Sequence, residues 1–247
     1  MEYLKKLKGH SGNEIYLIRN DKHLYVHKEG NIIRNVERLR ALYKESYRVP
    51  KILKTNEETF LDMEYVHGLD MKQYLKNNNT SGLTNFIIKT LNGFAKNSVD
   101  FDYTNVYHNK LHWVNQASDL PFKKEELIER LPKILPKSTY HGDFTLENLL
   151  YSKNGFMMID AVTIEYDSYV FDIAKLQQDL KCKWFLRKSR LKLDVKLKNI
   201  QEKILKHFKN TYNDYLLILM LLRVYRHTKI GDSNYKFIMK EIKKLWK

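Results

Sequence analysis

Three side chains suited to phosphoryl transfer follow one another in this chain. Asp143 is followed after five residues by Asn148 and after a further twelve by Asp160, with apolar runs between them. Transfer of a phosphoryl group from ATP needs one carboxylate that orients the attacking hydroxyl and accepts its proton. It also needs an oxygen-bearing side chain and a second carboxylate that hold Mg²⁺ on the phosphates. The spacing predicts Asp143 as the catalytic base and Asn148 with Asp160 as the magnesium ligands.

The residues around these three make the pattern more specific. His141 and a glycine precede Asp143, and Asp160 ends the segment Met-Met-Ile-Asp. This order resembles the catalytic core of the aminoglycoside phosphotransferase and choline kinase group, which belongs to the protein-kinase-like superfamily. The resemblance implies an ATP- and Mg-dependent kinase that acts on an alcohol group of a small molecule. It is sharp between residues 140 and 174 and weaker over the rest of residues 5–180.

The same segment differs from that of protein kinases, which read His-Arg-Asp and later Asp-Phe-Gly. Gly142 stands where protein kinases have Arg, and Ala161 and Val162 follow Asp160. No Ala-Pro-Glu motif follows, so the small-molecule branch is favoured. In that branch an Asp before Ile-Ala or Leu-Ala braces the catalytic loop, and Asp172 matches this position.

The resemblance also implies the fold class, α+β with two lobes. Residues 1–64 are predicted to form a nucleotide-binding lobe with a small antiparallel sheet and one helix. Residues 65–247 are predicted to form a mostly helical catalytic and substrate-binding lobe. Turn residues and apolar periodicity support this division. They predict strands over 3–8, 14–19 and 23–28, a helix over 31–43, and later helices over 69–77, 82–97, 195–208, 212–229 and 234–246. Residues 98–122 are expected to be irregular.

A glycine-containing turn separates the first two predicted strands. Ser11 and Gly12 lie within it. In a kinase-like lobe this hairpin covers the ATP phosphates, because glycine lets the backbone approach them closely. Both residues are therefore predicted to bind nucleotide.

The third predicted strand ends in Lys28, which resembles the lysine that contacts the α and β phosphates. Such a lysine needs a carboxylate partner to hold it. Glu37 lies within reach on the following helix and is the predicted partner, with Glu29 and Glu45 as competitors.

The strand ending near residue 64 resembles the last strand of the small lobe and the hinge. Backbone groups of the hinge would bind the adenine edge, because a purine needs a donor and an acceptor side by side. The residues predicted to surround the adenine are Val26, Met63, Glu64, Tyr65, Val66 and Leu150.

Composition restricts the broad class. The 247 residues include 43% hydrophobic residues and a single Cys182, and the formal net charge is +15. No signal peptide is recognisable, and the apolar run over 215–222 is shorter than the ~20 residues needed to span a bilayer. These features predict a soluble, cytoplasmic protein. Most of the charge is expected to lie on a solvated surface, so a nucleic-acid partner is disfavoured and peripheral membrane contact stays open.

The acceptor is the least determined part of the prediction. A polycationic aminoglycoside needs carboxylates around it, whereas the predicted pocket segments are basic, which favours a neutral or anionic sugar-like hydroxyl compound such as a cell-surface polysaccharide precursor. An aminoglycoside or choline-type amino alcohol is the alternative within the class. A noncatalytic kinase-like binding module and a basic nucleic-acid binder are the alternatives outside it. The basic residues in question are Lys110, Lys181, Lys183, Arg187, Lys188, Arg190, Arg223, Arg226 and Lys229.

Overall fold

The computed structural model describes residues 2–7, 12–21 and 23–247. The chain divides into two compact units. The first unit comprises Met1–Tyr74 and His141–Ile164, and the second comprises Leu75–Tyr140 and Glu165–Lys247. The segment that carries Asp143 and Asp160 therefore belongs to the same unit as the N-terminal strands. The predicted boundary after residue 64 had assigned that segment to the C-terminal lobe.

An antiparallel sheet of five strands forms the N-terminal part of the first unit. Its strand order is β1-β2-β3-β5-β4, and each neighbouring pair is antiparallel. The first three strands agree with the prediction to within one residue at each described end, and the predicted end at Lys8 lies outside the described residues. The strands are β1 (Glu2–Leu7), β2 (Glu14–Asn20), β3 (His23–Glu29), β4 (Ile52–Thr55) and β5 (Phe60–Glu64).

One helix, α1 (Ile33–Lys44), follows β3 in this unit. Its residues Val36, Leu39 and Leu42 are buried at helical spacing, as the apolar periodicity predicts. Asn35 is buried on the same helix. A buried amide has to be hydrogen-bonded, so its partners matter for the site.

A second, three-stranded sheet completes the first unit. It consists of β6 (Gly68–Asp70), β9 (Leu149–Ser152) and β10 (Gly155–Met158) in the order β10-β9-β6. The helix predicted from residue 69 begins two residues later, as α2 (Met71–Asn77), because residues 68–70 pair with β9. A turn of 3₁₀ helix (Leu146–Asn148) leads into β9.

The second unit is mostly helical, as predicted. The elements of this unit are α3 (Ser81–Ala95), β7 (Val99–Asp102), α4 (Thr104–Lys110), α5 (Lys124–Arg130), β8 (Ile134–Lys137), α6 (Tyr169–Leu180), α7 (Asp194–His207), α8 (Asp214–Tyr225) and α9 (Ser233–Leu245). The helix α8 has an unbroken buried run from Leu216 to Leu222, so it forms the centre of this unit's core.

The expectation that residues 98–122 are irregular is wrong. The segment contains β7 and α4, and it is ordered by two tyrosines, Tyr103 and Tyr107, that are fully buried. The partner strand β8 lies some thirty residues further along the chain. No local pattern announces such a pairing, which is why the sequence alone missed it. In the part of the chain that the structure describes, every helix is too short or too polar to cross a membrane.

Candidate active site

The turn that carries the predicted base is built around Gly142. Its φ is +88°, and a Cβ placed there would lie 2.0 Å from the backbone oxygen of Val162. The N–H of Val162 also donates to the carbonyl of His141 at 3.0 Å. Glycine is required because only a residue without a side chain tolerates both the conformation and the approach. The turn is thereby held against the segment that carries Asp160.

His141 is completely buried in this turn. Burial lowers the pKa of its imidazole to about 4, although Asp143 and Asp160 act in the opposite direction. Its Nδ1 accepts the backbone N–H of Asp143 at 3.3 Å. The ring is therefore neutral at neutral pH, and it contacts the backbone of the loop that carries Asp143.

Asp143 and Asn148 are joined directly. The Nδ2 of Asn148 donates to the backbone oxygen and to Oδ2 of Asp143, each at 2.9 Å. The N–H of Ile159 donates to the carbonyl of Asn148 at 2.9 Å. The loop and the strand that precedes Asp160 are thus linked, and the three predicted chemical groups lie in one region of the first unit.

Asp160 has an unusual backbone and a charged partner. Its φ is +56°, a left-handed value that costs energy for a non-glycine residue. Its Oδ1 accepts from Nζ of Lys28 at 2.7 Å. The Lys28 side chain is only 2% exposed, whereas that of Asp160 is 42% exposed. The predicted phosphate-binding lysine and the predicted metal ligand are therefore brought together.

The structure does not bring Glu37 to Lys28. Glu37 lies on the exposed side of α1, and no ion pair joins the two among the described residues. Glu29 instead contacts Nε2 of His27 at 2.9 Å. The second contact of Lys28 is Oδ1 of Asn35, at 3.1 Å. The partner position predicted for a glutamate is thus taken by an amide, because the phase of α1 turns Asn35 and not Glu37 towards the lysine.

The residues predicted around the adenine lie on β3, β5, β9 and the segment after β5. Val26 and Met63 are direct cross-strand neighbours on one face of the sheet. The N–H of Glu64 already donates to the carbonyl of Lys51 at 2.9 Å, so this residue offers no backbone donor to a purine. The N–H groups of Tyr65 and Val66 have no partner among the described residues.

Four further predicted residues are less closely tied to the other groups of the site. Gly12 has φ +77°, and no atom of the described residues lies within 4 Å of a Cβ position there. Ser11 lies outside the described residues. Leu150 lies on β9, paired with Met157. Asp172 is buried in α6 of the second unit, and its bracing role stays a prediction.

The oxygen donors available here fit Mg²⁺. Both bonds of Asn148 to Asp143 use Nδ2, so its Oδ1 has no partner among the described residues. Asp160 binds Lys28 through Oδ1 only, which leaves Oδ2 available. No group of three or more His, Cys, Asp or Glu in the described chain is arranged to hold a metal. Two oxygen ligands suit Mg²⁺, which usually binds one or two protein groups together with substrate phosphates.

Comparison with known proteins agrees with this arrangement. A family model described as the phosphotransferase enzyme family matches residues 16–193. No curated protein sequence matches the chain. The chain therefore belongs to the phosphotransferase enzyme family, and its fold is that of the kinase-like phosphotransferases.

Solved structures support the fold at low sequence identity. A thermostable mutant of aminoglycoside phosphotransferase APH(4)-Ia, in its apo form, has a TM-score of 0.67 and 10% identity, covering 99% of this chain and 94% of that one. A mutant of the same enzyme in ternary complex with AMP-PNP and hygromycin B has a TM-score of 0.65 and 11% identity, covering 98% and 92%. A glucosamine kinase has a TM-score of 0.56 and 12% identity, covering 90% and 74%.

Proposed function

We propose that this protein transfers the γ-phosphoryl group of ATP to a hydroxyl of a neutral or anionic sugar-like acceptor, in a reaction that requires Mg²⁺. The observation that carries the proposal is the joint arrangement of Lys28 on Asp160 and of Asn148 on Asp143. A cation for the phosphates, two oxygen ligands and a carboxylate base are the groups that phosphoryl transfer uses.

Each of these side chains has a defined task in the proposed reaction, and Asn148 has two. Lys28 binds phosphate oxygens, and Asn148 and Asp160 hold Mg²⁺, which would neutralise charge on the phosphates. Asp143 orients the acceptor hydroxyl and takes its proton. Asn148 fixes the direction of the Asp143 carboxylate through its Nδ2, so most of the rate enhancement comes from positioning and charge neutralisation.

The nucleotide is proposed to lie against the face of β3 that carries Val26 and Lys28. Val26 and Met63 offer neighbouring apolar side chains for the adenine ring. The N–H of Tyr65 or Val66 would supply the donor, since that of Glu64 is occupied. ATP is favoured because a similar structure holds AMP-PNP, an ATP analogue.

Ion pairs in the second unit offset part of the positive charge of the predicted basic set. Lys110 pairs with Glu165, and Lys181 pairs with Asp214, both at 2.6 Å. Lys183 pairs with Asp194. These three lysines therefore contribute little to the field around an acceptor. The remaining basic residues of the predicted set are Arg187, Lys188, Arg190, Arg223, Arg226 and Lys229.

Two of these arginines lie close to a buried tyrosine. Burial raises the pKa of Tyr166, and Arg223 and Arg226 lie near enough to oppose that rise. Tyr166 follows Asp160 by six residues in the sequence. Arg226 also lies over the ring of Trp113, 5.8 Å from its centroid. A surface of guanidinium groups and aromatic rings repels a polycation and suits a neutral or anionic sugar.

A noncatalytic binding module is disfavoured by the same contacts. A chain that had lost catalysis would be under no constraint to keep a lysine buried at 2.7 Å from the carboxylate of a strained Asp160. An aminoglycoside acceptor is the rival within the class, since a similar structure holds hygromycin B.

The test is an ADP-release assay with purified protein, Mg²⁺ and ATP against a panel of acceptors. Kanamycin-type aminoglycosides are set in competition with neutral, phosphorylated and carboxylated sugars. We expect turnover with a neutral or acidic sugar. Efficient turnover of the aminoglycosides alone would contradict the acceptor assignment, and no ADP release with any acceptor would contradict the kinase assignment.

A further inference from the structure

Asn35 is a polar residue on the buried side of α1, and its side-chain hydrogen bonds to described residues all lead to the candidate site. Its Oδ1 accepts from Nζ of Lys28 at 3.1 Å. Its Nδ2 donates to the backbone oxygen of Ala161 at 2.8 Å and to Oδ1 of Asp160 at 3.3 Å. One amide thus contacts the predicted phosphate-binding lysine, the predicted metal ligand and the residue after it.

This set of contacts requires both halves of an amide. The lysine offers only donors, so it needs the oxygen, and the carbonyl of Ala161 offers only an acceptor, so it needs the N–H groups. A carboxylate at position 35 would accept from Lys28, but it would have no donor for the Ala161 oxygen or the Asp160 carboxylate. Its negative charge would also repel that of Asp160. The local chemistry therefore selects Asn over Asp.

The backbone that Asn35 holds is the strained one. Asp160 has φ +56°, and such conformations persist only where surrounding contacts determine them. The N–H of Thr163 donates to the carbonyl of Arg34 at 2.9 Å, directly beside Asn35. The start of α1 therefore holds residues 160–163 by one main-chain bond and two side-chain bonds.

We propose that Asn35 is a positioning residue that fixes Asp160 for Mg²⁺ and presents Lys28 to the phosphates. This inference rests on the proposed function of the site. Because the amide is uncharged, Lys28 has a single carboxylate partner, Asp160, among the described residues. The lysine can move from that partner to phosphate oxygens without leaving a second buried carboxylate unpaired, which would be costly.

Three variants separate this role from its alternatives. Asn35→Leu removes both kinds of hydrogen bond, and Asn35→Asp keeps the acceptor for Lys28 but removes the donor to Ala161. Glu37→Gln alters an exposed residue two positions along the same helix and tests the sequence-based partner assignment. Thermal unfolding without ligand reports whether each variant folds. If Asn35→Leu does not fold, the nearly isosteric Asn35→Asp carries the test alone.

The decisive readout is binding, measured by calorimetry in two arms. Wild type and variants are titrated with ATP in EDTA, and separately with Mg²⁺ in the presence of saturating AMP-PNP. We expect both Asn35 variants to weaken Mg²⁺ binding about tenfold or more, in the range seen for residues that orient metal ligands. Binding of ATP in EDTA should change far less in Asn35→Asp, which keeps the acceptor for Lys28, whereas Asn35→Leu should weaken it as well. Glu37→Gln should match the wild type in both arms.

Two outcomes would overturn the inference separately from the proposed function. Wild-type Mg²⁺ affinity in Asn35→Asp would show that the residue is only an acceptor for the lysine. Equal weakening of both arms by Asn35→Asp would show a general structural role. A wild-type protein that binds no ATP with or without Mg²⁺ would instead overturn the proposed function, and the inference with it.

Discussion

The two faces of β3 hold a positively charged group in different surroundings. On one face, Lys28 lies between the amide of Asn35 and the carboxylate of Asp160, which we term the inner centre. On the other face, His27 lies between two carboxylates, with Nδ1 2.5 Å from Asp62 and Nε2 2.9 Å from Glu29, which we term the outer centre. The residues are adjacent in sequence but point to opposite sides, because side chains alternate along a strand.

The difference lies in how the charge of each centre responds to pH. Burial lowers the pKa of His27, but the hydrogen bonds to Glu29 and Asp62 outweigh it, so the pKa is raised overall. The hydrogen bonds therefore favour the protonated, charged form of the His27 ring. The inner centre pairs a lysine with one carboxylate and a neutral amide. Of the two, the inner centre better suits a site that has to bind phosphates and a metal over a range of pH.

The largest expected effect concerns Asp143, the proposed base, whose carboxylate accepts a hydrogen bond from Asn148. Asp143→Asn should lower turnover by about 10² or more, because the general base is lost while the side chain keeps its shape. Nucleotide binding and the thermal midpoint should stay close to those of the wild type. Steady-state ADP release together with calorimetric titration of ATP checks this, and near-normal turnover would remove Asp143 from its role.

A paired substitution on β3 tests the two centres against each other. Lys28→Met should lower turnover by about 10², the loss typical of removing one group that stabilises developing charge. His27→Gln, one residue away, should leave turnover near that of the wild type. The same ADP-release assay measures both variants. A large loss in His27→Gln, or none in Lys28→Met, would mean that the nucleotide binds on the other face.

The catalytic turn is crowded at Gly142, so a side chain added there is expected to lower the stability of the fold. Gly142→Ala should lower the free energy of unfolding by about 3 kcal/mol or more, because it adds a steric conflict with Val162 to backbone strain of about 1–2 kcal/mol. Gly231→Ala is the matched control, since Gly231 has φ +86° but no atom within 4 Å of a Cβ position. Urea unfolding compares the two, and equal losses would show that the close approach is not important.

A smaller effect is expected from His27 and His141 of the first unit, with opposite signs. The pKa of His141 falls from 6.5 to about 4 on folding because the ring is buried. Between these values the unfolded chain binds a proton that the folded chain does not, so the free energy of unfolding falls as pH is lowered through this window. The full difference corresponds to about 3 kcal/mol, most of it reached near pH 5. For His27 the raised pKa stabilises the fold below pH 6.5, and that contribution is lost as pH rises through the folded value.

Urea unfolding at pH 7 and pH 5 measures this dependence. His141→Asn should reduce the loss of stability between the two values, and His27→Gln should increase it. The same change in both variants would contradict the opposite environments of the two rings.

The sequence predicted the parts of the site that local spacing encodes. Asp143 and Asn148 lie on one turn, and Asp160 follows the β9–β10 hairpin that comes directly after it, so their order along the chain largely determines their proximity in space. The partner of Lys28 depends instead on the rotation of α1 about its axis. The signal that would have identified it is a polar residue, Asn35, beside the buried Val36 at the start of the apolar stripe. Charge alone favours Glu37 as the partner of Lys28, but Glu37 lies on the exposed side of the helix.

The remaining differences have a similar cause. The occupied N–H of Glu64 depends on β4, whose register shifts within the pair and is not visible in a single strand. The pairing of β7 with β8 joins segments about thirty residues apart. Contacts between distant segments are decided by packing of the whole unit and not by local preference.

The central claim is that Asp160 holds Mg²⁺ for a bound ATP, and one measurement tests it directly. Thermal unfolding of the wild type and of Asp160→Ala is followed with ATP in EDTA and with ATP and Mg²⁺, with Asp100→Ala as a control at an exposed aspartate of the second unit. A ligand at about 100 times its Kd stabilises a fold by about 2.7 kcal/mol, so the shift is readily measured. We expect Mg²⁺ to add to the ATP-induced rise in Tm in the wild type and in Asp100→Ala, and to add nothing in Asp160→Ala. An undiminished Mg²⁺-dependent rise in Asp160→Ala would contradict the account.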